Sequence, residues 1–363
     1  MPAEREHHED DESPSSSRLM INSRQLTRTC NMYWSANSVI KQAKLWCRKN
    51  PAQREAFEAQ LTDEEKQTLA LVKLLIRLDP EVVEELARRG RGSRVFSDHT
   101  ETLLSKGQSN AKAEDMRKCR NLLGKWLVSN PPLDPEDSST RGMNNPTTAY
   151  LLASLEVDWD DEDERRKFMA GDFEISEMQF PRLCYPGGKG DKDRPWIGAF
   201  LGELLIKGGR AILLSPAAST SGTPGMNIGG ARGHRRTTKT RGPIGLAKRY
   251  DMTEITVPFI AYVTVVVRHC LTSDKEYSDE GSGFDYELFY TEICKYLQDA
   301  KYEQITSKVL EHWNKEIFGQ AGNRKAGRGV RTAGRGTRAL LDAALEAGED
   351  LGLGDGDGGG VAS

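Results

Sequence analysis

Apolar side chains in this chain recur every third or fourth position, and the stripes start and stop on helix-capping signals. Thr62 and Glu65 form a capping box ahead of Leu69, Leu71, Val72, Leu74, Leu75 and Leu78. Asn50-Pro51 and Asp79-Pro80 each place a capping side chain before a proline at the first helical position. Residues 109–128 carry Met116, Cys119, Leu122, Leu123, Trp126 and Leu127 on one face. A stripe of this period buries itself only against other helices, so the expected fold is mainly α, a multi-helix globular domain with long loops.

The C-terminal half continues the pattern with interruptions. Asn130-Pro131-Pro132 and Pro135 break it, which suggests a seam near 130–140. Short helices are expected over 147–155 and 161–170. A further helix is expected from Pro195 to Lys207, closed by Gly208-Gly209, with a short strand at Ala211–Leu214. Ile255–Leu271 is β-branched, but it is too long for a typical strand, and Thr256 near Pro258 suits a helix start. Phe284–Gln298 and Tyr302–Phe318 complete the set, with Trp126, Trp159, Trp196 and Trp313 as expected packing anchors.

Hydrophobic residues make up 37% of the 363 and charged residues 29%, too polar a balance for every residue to join a core. The expected organisation is therefore residues 1–24 disordered, acidic and serine-rich; 25–128 helical; 129–318 a second helical domain with a basic, glycine-rich loop near 216–250; and 319–363 a disordered tail. The acidic, polar start lacks a secretory signal. The longest apolar stretch is broken by Thr264, Arg268 and His269 and falls short of the roughly 18 to 20 apolar residues of a membrane span. Cys30, Cys47, Cys119, Cys184, Cys270 and Cys294 are scattered, with no metal-binding spacing, and read as reduced thiols. An intracellular protein with no membrane partner is expected, in cytoplasm or nucleus.

From about residue 125 to 318 the chain resembles a family of mushroom-forming basidiomycete fungi, domain of unknown function 6698. The resemblance rests on pieces in a shared order: Lys125-Trp126-Leu127, Arg141-Gly142-Met143-Asn144, Thr148, Leu151-Leu152, Asp158-Trp159 and Ala199-Phe200-Leu201. Leu214-Ser215-Pro216, Ile260-Ala261-Tyr262-Val263, Arg268, Leu271-Thr272-Ser273, Phe289-Tyr290 and Trp313-Asn314-Lys315-Glu316-Ile317-Phe318 follow. Ala153-Ser154 departs from the usual cysteine and proline, and His312 from a second tryptophan. The resemblance implies a fold unit but no catalysis, cofactor or ligand. It singles out Arg141, Asn144 and Arg268 as a polar family site; the Arg141-Gly142 step is the best candidate there for a functional contact, though a turn glycine beside a surface ion pair is the expected reading of it.

Motifs of known chemistry are missing or incomplete. Gly187-Gly188-Lys189-Gly190 lacks the spacing of a phosphate loop and reads as a surface turn. Glu156–Glu164 packs seven carboxylates into nine positions, but without a calcium loop's glycine and alternating ligands it reads as an acidic helix start. His269 beside Cys270 invites a catalytic pair, yet helix neighbours point apart, so a satisfied core histidine is expected.

Charge segregation is the stronger functional signal. Between Leu204 and Tyr250 lie Lys207, Arg210, Arg232, Arg235, Arg236, Lys239, Arg241, Lys248 and Arg249, with no acid. The tail begins with Arg324, Lys325, Arg328, Arg331, Arg335 and Arg338 and then turns acidic. Flexible arginines neutralise phosphates and release counterions. Three readings follow. The first is a non-enzymatic helical domain with a structural or interaction role and no cofactor. The second is a nucleic-acid-associated protein, mobile-element related, using 232–249 and 324–338, with an acidic protein as the other polyanionic partner. A metal-dependent nuclease is the third.

Overall fold

In a computed structural model that describes residues 14–88, 91–173, 175–220, 245–278 and 283–319, the fold is mainly α. No strand occurs among these residues, only an isolated bridge between Ser154 and Pro181. None of their helices is long and apolar enough to cross a membrane. The chain divides into two compact units, Met1–Ala113 and Glu114–Ser363. The boundary falls inside a helix, ahead of the proline-rich stretch where the sequence suggested a seam.

The first unit holds α1 (Pro14–Thr29), α2 (Ala36–Cys47), α3 (Pro51–Gln60), α4 (Asp63–Leu78), α5 (Pro80–Ala87) and most of α6 (Arg91–Arg120). Helix α1 starts within the stretch expected to be disordered. Its Leu19, Met20, Leu26 and Thr27 repeat at helical spacing and are buried, a stripe masked in the sequence by the serine run before it. Residues 1–13 lie outside the described residues. The capping boxes at Asn50/Gln53 and Thr62/Glu65 both form. Asp79 precedes α5 as expected but makes no side-chain cap bond, and its carboxylate instead pairs with Arg18 Nε at 3.3 Å.

The second unit contains α7 (Leu123–Trp126), α8 (Pro146–Leu152), α9 (Glu162–Ala170), α10 (Glu203–Leu213), α11 (Pro216–Thr220), α12 (Leu246–Arg249), α13 (Val257–Leu271), α14 (Tyr286–Gln298) and α15 (Glu303–Phe318). At its centre α13 is buried at every position from Phe259 to Leu271. A helix surrounded by protein needs no polar face, which is why this segment is apolar on every side, with Thr264, Arg268 and His269 as the exceptions. Thr256 caps its start by accepting from Phe259 N. α8, α10 and α14 pack around it.

Two expectations for residues 195–214 fail together. Helix α10 begins at Glu203, not Pro195, and runs through Gly208-Gly209 to Leu213, so Ala211–Leu214 is not a strand. The glycines are close-approach points. A Cβ on Gly208 would meet Val267 Cγ2 at 2.7 Å, and one on Gly209 would meet Trp313 Cζ3 at 2.8 Å. Just beyond them Arg210 is buried, donates to Glu316 O from Nε and Nη2, and ion-pairs with Glu316 Oε2 at 2.8 Å. Helix continuity here is decided by what α10 packs against.

Candidate anion-binding cavity

The last turn of α13 carries Arg268, His269 and Cys270, and their side chains part in three directions. Cys270 Sγ reaches Met116 O at 3.2 Å, and burial pushes its thiol up to about 12. His269 Nε2 lies 3.5 Å from Arg120 Nη2, with the Tyr277 and Tyr286 rings edge-on at 5.2 and 5.9 Å. Burial and then the Arg120 charge pull the imidazole down to about 4. With Nε2 accepting from Arg120, Nδ1 carries the proton and meets no acceptor among the described residues. The histidine is in the core as expected, but not satisfied. A neutral imidazole aimed away from a protonated thiol is no nucleophile-base pair.

Arg268 turns the other way. Its guanidinium carbon stands 3.2 Å from the centre of the Phe284 ring, within reach of the Tyr286 and Phe289 rings. Nη1 donates to Tyr286 Oη at 3.2 Å, its one hydrogen bond to the described residues. Arg268 is only 3% exposed and forms no ion pair there. Burial pulls its pKa below the usual arginine value, and Tyr286, Glu177 and Asp274 oppose the shift in that order. The C-terminal end of α13 offers further partial negative charge.

Arg268 lines a cavity of about 180 Å³. Leu152, Val157, Phe168, Phe173, Ile175 and Phe284 supply its apolar wall, and Ser154, Ser176 and Gln179 its uncharged polar groups; Glu156, also lining it, is exposed. Several local devices hold these residues. Arg182 bridges the wall by donating Nη2 to Val157 O at 2.7 Å while its backbone N–H bonds Ala153 O. Asp161 caps α9 through Asp163 N and Glu164 N, and Glu164 accepts from Asp158 N, so the acidic run is used as a helix start. Glu177 accepts from Asp285 N, tying the 175–179 segment to the start of α14. Trp159, half-buried, packs edge-on against Tyr150 and Phe168 behind the wall.

The other family-site residues are placed differently. Arg141 is buried and spent on the backbone: Nε donates to Thr272 O at 3.3 Å, and Nη1 to Asp134 O at 3.0 Å and Pro135 O at 3.4 Å. Gly142 follows at φ +67°, where a Cβ would lie 2.9 Å from Ser273 N. The Arg141-Gly142 step is thus a clasp between the loop and the end of α13. Asn144 is exposed, and its neighbour Asn145 is the buried one. Asn145 caps α8 through Thr147 N and Thr148 N and donates Nδ2 to Pro131 O at 2.9 Å. The structure brings Arg141 and Arg268 to one end of α13 but leaves Asn144 apart.

Of the basic set, Lys207 donates Nζ to Trp126 O at 3.2 Å and Arg210 is paired with Glu316, while Lys248 and Arg249 stand exposed at the end of α12. Arg232, Arg235, Arg236, Lys239, Arg241, Arg324, Lys325 and Arg328 lie outside the described residues. The Gly187-Gly188 segment is a turn held by Tyr150 Oη donating to Gly188 O at 2.9 Å. No three His, Cys, Asp or Glu side chains among the described residues gather as a metal site would require. Ser176 and Gln179 were not singled out from sequence, Ser154 and Phe284 were named only as a departure from the family pattern and a helix start, and no local motif marks any of the four as a site residue.

The fold and cavity define an all-helical domain with a buried cation at the wall of a small, half-apolar chamber. By sequence, the chain belongs to the family of unknown function DUF6698, whose model matches residues 106–318. The match begins 19 positions before Lys125, within α6. No curated protein and no solved structure matches the chain.

Proposed function

We propose that the family domain is a non-enzymatic binding domain and that its recognition element is the Arg268 cavity, which takes an anionic group. The observation that carries this reading is the mismatch at Arg268. A guanidinium has five N–H donors, yet this one, 3% exposed, makes a single hydrogen bond and no ion pair among the described residues. A buried charge short of hydrogen-bond partners is costly; the Phe284 ring, Tyr286 and the more distant Glu177 and Asp274 offset part of that cost, and an anion at the remaining donors offsets more. The inert setting of His269 and Cys270 supports binding over catalysis. An intracellular setting fits the six free thiols, and a basidiomycete source goes with the ordered motifs. Thermal unfolding in acetate, formate or phosphate, at ionic strength matched with chloride, tests the reading. At least one anion raises the Tm of the native protein and not of Arg268→Gln; equal curves in every salt refute it.

Nucleic-acid association is the second reading. Its support is that Lys248 and Arg249, the described members of the 232–249 stretch, are both exposed and in no ion pair with a described residue. Retention on heparin at low salt and a steep loss of binding between about 50 and 200 mM salt are expected. Each Ala substitution at the two positions lowers the salt slope by about 1. Binding indifferent to salt defeats this reading.

A further inference from the structure

The shape and lining of the cavity narrow the anion. We infer that the site takes a small monocarboxylate with an apolar body the size of a benzene ring or a branched aliphatic chain; the inference rests on the anion-binding reading above. Three observations meet here.

Size comes first. The chamber is about 180 Å³, and an apolar cavity of about 150 Å³ holds one benzene molecule. A ring or short branched chain with one small polar head therefore fills it, whereas a nucleotide or a sugar phosphate does not enter.

The lining comes second. Phe168, Phe173, Ile175 and Leu152 gather on the apolar half of the wall and leave room there for a hydrocarbon body, while the polar half faces the ligand's head. The charged donor is concentrated in Arg268, whose planar fork matches the two oxygens of a carboxylate. Ser154, Ser176 and Gln179 are the neutral hydrogen-bonding groups available to the same head.

Charge comes third. Glu156 lines the cavity from an exposed position, and Glu177 and Asp274 act on Arg268 from further off. Arg268 is the one cation among the described lining residues, and with these carboxylates nearby a single negative charge on the ligand is the most the site accommodates. A dianion such as phosphate or a dicarboxylate meets like-charge repulsion on the way in.

The test uses the full chain and benzoate, with neutral benzamide as the matched control, acetate as the carboxylate without an apolar ring and phosphate as the compact dianion. Calorimetric titration is expected to give saturable benzoate binding with a Kd on the order of 0.1–1 mM and benzamide at least about tenfold weaker. Methyl NMR shifts should gather on Leu152, Val157 and Ile175. Arg268→Gln should remove at least about tenfold of the benzoate affinity. Because that variant replaces a buried residue, Glu156→Gln at an exposed position is the companion: loss of its repulsion tightens both anions, phosphate the more, and so narrows the gap between benzoate and phosphate. Benzamide binding as tightly as benzoate, or shifts away from those methyls, overturns the inference. Phosphate or acetate matching benzoate overturns the ligand class but leaves the anion-binding reading standing. No response to any of the three anions overturns both.

Discussion

The indole Nε1 of Trp313 donates to the backbone carbonyl of Phe200 at 2.8 Å, and Phe200 itself sits at φ +63° with its ring wholly buried. A bulky residue in the left-handed region is strained and persists only where its surroundings over-determine it. Here Trp313 holds the carbonyl, while Phe180 and Tyr296 pack the ring at 4.7 and 6.0 Å. The next residue, Asn314, accepts from Ile255 N at 2.7 Å and so fixes the entry to α13. The Trp-Asn pair is thereby a structural device that positions the central helix.

Trp313→Phe removes the donor and leaves the Phe200 carbonyl buried without it. The expected cost is about 1–3 kcal/mol for that group, with more from the lost indole volume. Urea unfolding of the variant measures it, and a midpoint equal to the native one contradicts the role given to Trp313.

Gly142→Ala and Gly171→Ala separate strain from collision. Both glycines have positive φ, but a Cβ at Gly142 falls 2.9 Å from Ser273 N, while nothing lies within 4 Å of one at Gly171. Gly171→Ala is expected to cost about 1–2 kcal/mol, the left-handed penalty alone. Gly142→Ala should cost at least about 2 kcal/mol more than that, since backbone must move. Equal losses in chemical denaturation contradict this.

Asn144 and Asn145 are adjacent and chemically identical, so they make an internal control. Asn145→Ala loses the α8 cap and the bond to Pro131 O and is expected to cost about 1–3 kcal/mol. Asn144→Ala, at an exposed site, should stay within about 0.5 kcal/mol. Thermal melts of the two variants side by side decide the assignment.

Acid should destabilise the second unit through His269. The groups acting on its imidazole are Arg120 from α6, Arg268 from its own helix, Arg141, and Asp274. Burial and the arginines hold the folded pKa near 4, below the unfolded value of about 6.5. Between these values the unfolded chain binds the extra proton. Stability from this residue is therefore full above about pH 6.5 and is lost as pH falls toward 4, by about 3 kcal/mol in total. His269→Gln should flatten unfolding free energy across pH 4 to 6.5. An unchanged slope contradicts the assignment.

How far the site was legible follows from the kind of interaction involved. Arg268 was visible as a charge inside an apolar helix and as part of the family pattern. Its unsatisfied state was not, because the groups beside it, Phe284 and Tyr286, come from a segment more than a dozen residues on. The cavity wall draws on residues 152–181 as well, joined through Arg182 and the Ser154–Pro181 bridge, and no local pattern encodes that meeting. Asn144 was preferred over Asn145 for the same reason: in sequence the two differ only by register.

Sequence alone determined the mainly α architecture, the caps at Asn50, Thr62 and Thr256, and membership of the family. These depend on spacing and on side-chain bonds reaching no more than a few residues, which a linear string records. Tertiary structure alone decided that Gly208-Gly209 continues a helix, that Arg141 is a clasp, and that Arg268 faces an open chamber. Each depends on which distant atoms come within contact distance, and that is set only when the packed helices meet.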